Sequence, residues 1–467
     1  MRKSLALLSF VVAALSSLPS SADTSPSPTL KTTKTTLPNG LEVIVDEDHR
    51  TPIVTVNVWY HVGSKDEAAR RNGFAHLFEH VMFQGSKHVP EDTYFRFLEK
   101  VGATSINGTT SLDRTNYFET VPKNQLELAL WLESDRMGFL LDHADDATFK
   151  SQRDVVKNER RQNYENAPYG MVLQFIRAEL FPKEHPYHLL TIGSPEDLDA
   201  ASIDDVRAFF RTNYVPNNAT LVLSGDIEPH KAMSLVQKYF GPIARGRDVP
   251  RKKPIAVERV GETRIEVEAN GPLARAYLSW PTPAFFANGD ADLDLVSHVL
   301  AGGKSSRLYK RLVYDLQIAQ SVSASQQSSE LGSVFEIMAS AQPGHTAAEL
   351  AKAIDEELDK LRKGGIDDAE LARAKTTILA DNVFELERSS ARANRINTYN
   401  HYTGDPNYLD KDLARTTSAT STSTSDAARR WLKEKDRVIT LVTPKKDAPI
   451  AGRIVNVQRP GGAGGVR

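Results

Sequence analysis

The chain has 467 residues, 40% of them hydrophobic and 25% charged, with a formal net charge of −2. That length predicts two domains of about 200 residues each; the composition excludes global disorder, and the balanced charge gives nucleic acid no electrostatic purchase. No cysteine is present, so any bound metal must be held by histidines and carboxylates.

Arg2 and Lys3 precede an apolar stretch from Leu5 to Leu18, and Ser20-Ser21-Ala22 follows. This is the pattern of an export signal, which predicts cleavage after Ala22 and delivery to the periplasm. The apolar stretch is short of the ~20 residues of a membrane span, so no stable membrane insertion is expected. Leu41 to Val45 and the alternating Val54 to Tyr60 then read as strands, and the pattern from Gly73 through Leu77, Val81 and Met82 reads as a helix ending near Gly85. Further helices are expected at Asp92–Val101, Leu126–Phe139, Asp146–Asn163 and Pro229–Tyr239, with polar strands near Ser105 to Thr120 and a strand at Ala219–Asp226.

The stretch from Ala244 to Pro254, rich in Arg, Lys and Pro, marks a linker. Beyond it the opening repeats in outline: strands at Thr263–Glu268 and Ala274–Ser279, then a helix carrying Leu295 to Gly302. Aligned on Leu77 to Gly85, this helix puts Asp294 at the position of His76, Ser297 at that of Glu79, and keeps only His298. The second half therefore cannot build the same site. The Ser/Thr run from Thr416 to Ser425 is expected to be a loop feeding a helix that starts at Asp426.

His76 and His80 lie four apart, which on a helix places both imidazoles on one face within reach of a single ion. Glu79, beside the second histidine, can take a proton from water without occupying the coordination shell, so it is the candidate general base. A catalytic zinc wants a third protein ligand. Glu159, after Val155 and Val156 in a charged helical stretch, is the candidate, although on periodicity alone it is equally a solvated glutamate on a polar face.

Three stretches together resemble the inverted-motif zinc peptidases that include pitrilysin, insulysin and the mitochondrial processing peptidase. They are Gly73-Phe74-Ala75-His76-Leu77-Phe78-Glu79-His80, Val155-Val156-Lys157-Asn158-Glu159 and Ser305-Ser306-Arg307-Leu308. The resemblance implies one zinc ion per chain held by His76, His80 and Glu159, with Glu79 as the base. It implies an α+β fold of two homologous domains, each a mostly antiparallel sheet covered by helices, together forming half of a clamshell peptidase. It also implies substrate binding at Asn107 and along the segment from Gly108 and Thr109 to Phe118, where an extended peptide would add as a strand. Two positions depart from the family. Gln152 stands where relatives often carry a glutamate supporting the third ligand, and Val313 and Gln320 stand where an Arg and a Tyr help bind the substrate and steady the oxyanion.

The expected organisation is a signal peptide at 1–22, a zinc-binding catalytic domain at 30–243, a linker at 244–254, a second homologous domain without metal at 255–458 and a flexible tail at 459–467. The expected function is a zinc-dependent metalloendopeptidase acting on peptides or unfolded segments, with a homologous partner subunit supplying the missing Arg and Tyr; a homodimer is the other possible assembly. The competing reading is a non-catalytic structural or peptide-binding subunit.

Overall fold

The computed structural model describes residues 29–143 and 145–461; the export signal expected at 1–22 lies outside them, as do residues 462–467 of the expected tail. Among the described residues no helix is long and apolar enough to cross a membrane. The fold is α+β, with two six-stranded sheets. The first contains β1 (Thr32–Thr36), β2 (Glu42–Glu47), β3 (Ile53–Tyr60), β4 (Thr104–Thr110), β5 (Thr115–Pro122) and β6 (Ala219–Gly225). The second contains β7 (Thr263–Ala269), β8 (Arg275–Thr282), β9 (Ala319–Gln327), β10 (Ser333–Ala341), β11 (Val438–Pro444) and β12 (Arg453–Gln458).

The strand orders are β1-β2-β6-β3-β5-β4 and β12-β7-β11-β8-β10-β9. In each sheet one neighbouring pair is parallel, β2 with β6 and β7 with β11, and the other neighbours are antiparallel. Five strands correspond in both sheet order and chain order, β2 to β6 with β7 to β11, so the repetition read from the sequence is a duplicated topology; the strand beside β2 and β7 differs in origin, β1 preceding β2 and β12 following β11. β4 and β9 are corresponding edges.

Both faces of the first sheet are buried, and the strand alternation assigns them. Val43, Val45, Val54, Val56 and Val58 point into a core with the Phe74–Val81, Leu126–Phe139 and Pro229–Phe240 helices. Ile44 and Val222 point the other way, against Ala393, Ile396 and Tyr399 of the Ser389–Thr403 helix. That helix comes from the second half of the chain. The exchange is reciprocal: Val172, Ile176 and Leu180 of the Val172–Leu180 helix, from the first half, pack on Ile265 and Val267 of β7 and Val438 and Val442 of β11. Arg392 reinforces the exchange, its guanidinium donating to the buried Asp46 carboxylate at 2.6 and 2.8 Å.

Three local expectations need correction. The helix expected from Asp426 begins at Ser421, because Thr420 caps it through its hydroxyl on the Ser423 amide, and the first part of the Ser/Thr run ends the Leu409–Thr417 helix. The stretch without regular structure extends from 244 to 262, past Pro254, and is pinned where the Ile255 amide donates to the Leu331 carbonyl at 2.7 Å. Arg459, assigned to a loose tail, is ion-paired with Glu179.

Because each exchanged helix fills the other half's core, the halves should unfold as one unit. Ile176→Ala and Ile396→Ala are each expected to cost about 2–4 kcal/mol and to lower the midpoint of one common urea transition. Two separate transitions in either variant would contradict this packing.

Candidate functional site

The Phe74–Val81 helix buries Phe74, Leu77, Phe78 and Val81 in the first core, which turns His76, Glu79 and His80 outward. Its start is built by glycine and a remote carboxylate. Gly73 has φ +97°, and a Cβ there would come within 2.7 Å of the Gly193 Cα, so the approach of the two segments excludes a side chain. With no capping side chain at Gly73, Glu67 accepts instead, from the amides of Ala75 at 2.9 Å and Gly73 at 3.0 Å and from Asn72 Nδ2 at 3.1 Å. Burial pushes the Glu67 carboxyl up to about 8 against the pull of these donors. Glu67 was not singled out from the sequence, where nothing in its spacing from Gly73 marks it as a cap.

Glu159 arrives from the Asp146–Arg160 helix, which is capped by Asp145 on the Thr148 amide. Of the two valines expected to anchor it, only Val156 is in the core; Val155 is 42% exposed. The core face is Phe149, Gln152, Val156 and Arg160, a helical spacing that includes one valine and not its neighbour. Gln152 therefore sits buried two turns before Glu159, and among the described residues no hydrogen bond joins its side chain to His76, His80 or Glu159. Asn163, which sequence reasoning missed, does reach the site, its Nδ2 donating to Glu159 Oε1 at 3.3 Å.

The structure brings His76, His80 and Glu159 together. Their donor atoms all lie within 4.8 Å of one another, and no other cluster of this kind occurs among the described residues. Glu159 Oε2 is 3.5 Å from His76 Nε2 and 3.2 Å from His80 Nε2. Burial pushes His76 down to about 4, so it is neutral with a lone pair free, and the hydrogen bond with His80 holds the Glu159 carboxyl below its ordinary range. Two imidazole nitrogens and one carboxylate could hold a divalent metal.

Glu79 lies beside this trio and accepts a hydrogen bond from the Thr110 hydroxyl at 2.6 Å. Burial raises its carboxyl above the ordinary range, against the opposing effect of that bond. Thr110 ends β4, whose outer side is a free edge. A Cβ on Gly108 would press to 3.0 Å on Glu79 Cγ and on the Phe83 ring, so this glycine lets the edge strand lie against the motif helix.

The segment assigned to substrate binding divides. The free edge is Thr104–Thr110, whereas Phe118 lies on β5, paired on both sides by β3 and β4. A turn at 111–114 separates them. Asn107 is exposed on the edge, its Oδ1 accepting from the Gly108 amide at 2.9 Å. Thr109 points to the face of the sheet away from Glu79, its hydroxyl donating to Asn116 at 2.5 Å.

In the second half, Asp294, Ser297 and His298 form no equivalent site; His298 Nδ1 lies 3.1 Å from the Asp294 carbonyl. Val313 packs against the second core and Gln320 is exposed near the start of β9. The nearby Arg311 is engaged by Glu356 at 3.2 Å and Glu357 at 3.7 Å.

Residues 42–190 match the model of the insulinase family (peptidase family M16), and residues 200–378 match that of the peptidase M16 inactive domain. A zinc protease, PqqE, of Helicobacter pylori is 32% identical over 359 residues, covering 76% of this chain and 80% of that protein. The crystal structure of a protease from Helicobacter pylori superimposes with a TM-score of 0.84 at 28% identity, covering 89% of this chain and 100% of the other. The first half of the periplasmic protease PqqL from Escherichia coli shares the fold, with a TM-score of 0.75 at 18% identity, over 91% of this chain and 94% of that one. Sequence relatives and duplicated architecture agree that the chain belongs to the insulinase family, peptidase family M16.

Proposed function

We propose that the chain is the catalytic subunit of a zinc-dependent metalloendopeptidase that cuts peptides or unfolded segments. The observation that carries this reading is the convergence of His76, His80 and Glu159 within 4.8 Å, next to the half-buried Glu79 and a free strand edge. The donor set suits zinc: imidazole nitrogen and carboxylate oxygen are ordinary zinc ligands, and three protein ligands leave a position open. His76 and His80 would hold the ion through Nε2 and Glu159 through its carboxylate. Zinc bound there supplies a Lewis acid for the scissile carbonyl and lowers the pKa of water.

Glu79 takes the proton from the attacking water and returns it to the leaving amine. Thr110 fixes the orientation of that carboxylate, and Asn163 that of Glu159. The Thr104–Thr110 edge holds the substrate extended by main-chain hydrogen bonds, so the peptide backbone is positioned whatever its sequence. Export to the periplasm belongs to the same reading, on the strength of the N-terminal pattern.

The chain carries no donor pair for the oxyanion at the family positions, which hold Val313 and Gln320, and Arg311 is already tied to two glutamates. This supports a two-chain enzyme in which a homologous partner supplies Arg and Tyr from across a closed chamber.

Glu79→Gln is expected to keep one zinc per chain by atomic absorption while cleavage of a quenched peptide falls roughly a thousandfold; full activity in that variant would refute the assigned base. His76→Ala should lose both metal and activity. Mature protein that binds no stoichiometric zinc would end the proposal. The subunit model predicts that cleavage by the purified chain rises sharply on mixing with a homologue that has the Arg and Tyr but no zinc motif, and a chain fully active alone would replace it with a self-sufficient enzyme.

A further inference from the structure

Beyond the metal centre, a cleft of about 400 Å³ opens where the turn after β4 meets the second half, lined by Trp59, Arg114, Arg177, Thr191, Ser328 and Tyr402 among others. It holds two arginines without counter-ions. Among the described residues, no carboxylate lies within 4.0 Å of either guanidinium. Arg114 Nη1 donates to the Thr109 carbonyl at 2.9 Å, and its guanidinium lies 5.1 Å from the centre of the Trp59 ring. Arg177 Nη1 reaches only the Tyr187 carbonyl, at 3.5 Å, and its Nε is buried without a partner. Burial pulls both groups below the ordinary arginine value, yet arginine remains a cation at any working pH.

Both side chains are half-buried, and charges withdrawn from water are normally paired, because an unpaired one forfeits hydration without return. The carboxylates whose charge reaches this pair of arginines are committed elsewhere, Glu79 to the Thr110 hydroxyl on the other face of the edge strand. Asp113 accepts from the Tyr187 and Tyr402 hydroxyls and from the Glu330 amide. Glu330 and Asp66 are each 3.1 Å from Lys65 Nζ, and Glu336 accepts from Ser279 at 3.2 Å. The two arginines are left for an anion from outside.

The sheet register says where that anion comes from. Thr109 of β4 pairs with Asn116 of β5, which pairs with Trp59 of β3, so these three form a row on one face. Gly108, Tyr117 and Val58 form the neighbouring row on the other face, where the Tyr117 hydroxyl donates to the Phe78 carbonyl of the motif helix at 3.4 Å. A peptide strand added to the β4 edge continues both rows, since its side chains alternate between faces. Residues that continue the Gly108 row lie on the face of Glu79, and a residue that continues the Thr109 row lies on the face where Trp59 lines the cleft and the Arg114 guanidinium reaches the Thr109 carbonyl.

We propose that this cleft is a carboxylate-binding subsite, in which Arg114 and Arg177 select peptides carrying an acidic group close to the bond that is cut. This deepens the peptidase reading and rests on β4 being the peptide-binding edge. Arg177 is the cleaner probe, because Arg114 also braces the turn that ends the edge strand.

The test uses the full mature chain, zinc-loaded and with its partner if one is required. Four quenched peptides share one sequence and differ at two places: Asp or Asn on alternate residues flanking the cleaved bond, and a free or amidated C-terminus. Arg177→Gln should lower kcat/KM about ten- to a hundredfold for the Asp peptides, mainly through KM, and leave the Asn peptides unchanged. Arg177→Lys should recover part of the difference. If the loss follows the free C-terminus and not Asp, the carboxylate recognised is the terminal one, and the subsite stands. Equal losses on all four peptides, or none, would overturn it.

Anisotropy of the same peptides, labelled, on the Glu79→Gln chain separates the two claims. Preference for the carboxylate that disappears in Arg177→Gln, from a protein that cleaves nothing, would keep the subsite and remove the peptidase. Binding that ignores the carboxylate would remove the subsite whatever the cleavage assay reports.

Discussion

Everything at the cluster of His76, His80 and Glu159 depends on how the Phe74–Val81 helix is seated. Its four large apolar residues are in the core, and burying side chains of this size contributes roughly 1.5–3 kcal/mol each. That packing fixes the helix in rotation, and rotation decides where His76, Glu79 and His80 point. Its position along its own axis is set at the start, by Glu67 on the first amides and by the contact of Gly73 with Gly193. Glu159 comes from a different helix, so the donor cluster exists only while both helices keep their places against the same core.

Much of this was legible in the sequence, because the strongest signals were periodic. The His76, Glu79 and His80 spacing has meaning only on a helix, and the apolar positions around it specify one. The valine-rich strands, the Leu126–Phe139 helix and the duplicated outline all follow from alternation or from helical spacing. What escaped carries no periodic signal. Glu67 caps a helix from outside it, Asn163 meets Glu159 across a widened last turn, and neither is marked by local pattern. Glu159 itself looked no different from any solvated glutamate until the fold brought it to the histidines. The Ser/Thr run misled for the opposite reason: low helix propensity suggested a loop, but Thr424 and Ser425 are buried, and the Ser425 hydroxyl finds the Ser421 carbonyl and the Ile366 amide, so tertiary contacts override propensity.

The second half keeps the architecture of the first and none of its donor chemistry. The strand order is retained, while Asp294, Ser297 and His298 occupy the positions of the three site residues of the motif helix. The retained sheet serves the first half directly. One of its helices, Ser389–Thr403, covers the face of the first sheet that the motif helix leaves bare, and the same helix supplies Tyr402 to the cleft beneath the edge strand. A half without the donor cluster thus forms part of the wall of the cleft beside the edge strand.

The reciprocal exchange of helices also governs how the molecule can move. A linker of some twenty residues between two sheets would ordinarily serve as a hinge. Here, swinging the halves apart would pull Ile176 out of the second core and Ile396 away from the first sheet, and would strip Arg392 from Asp46. The chain is latched to itself from both sides. The nineteen residues between the sheets therefore serve as a strap and not as a hinge, and access to the edge strand does not come from parting the two halves of this chain.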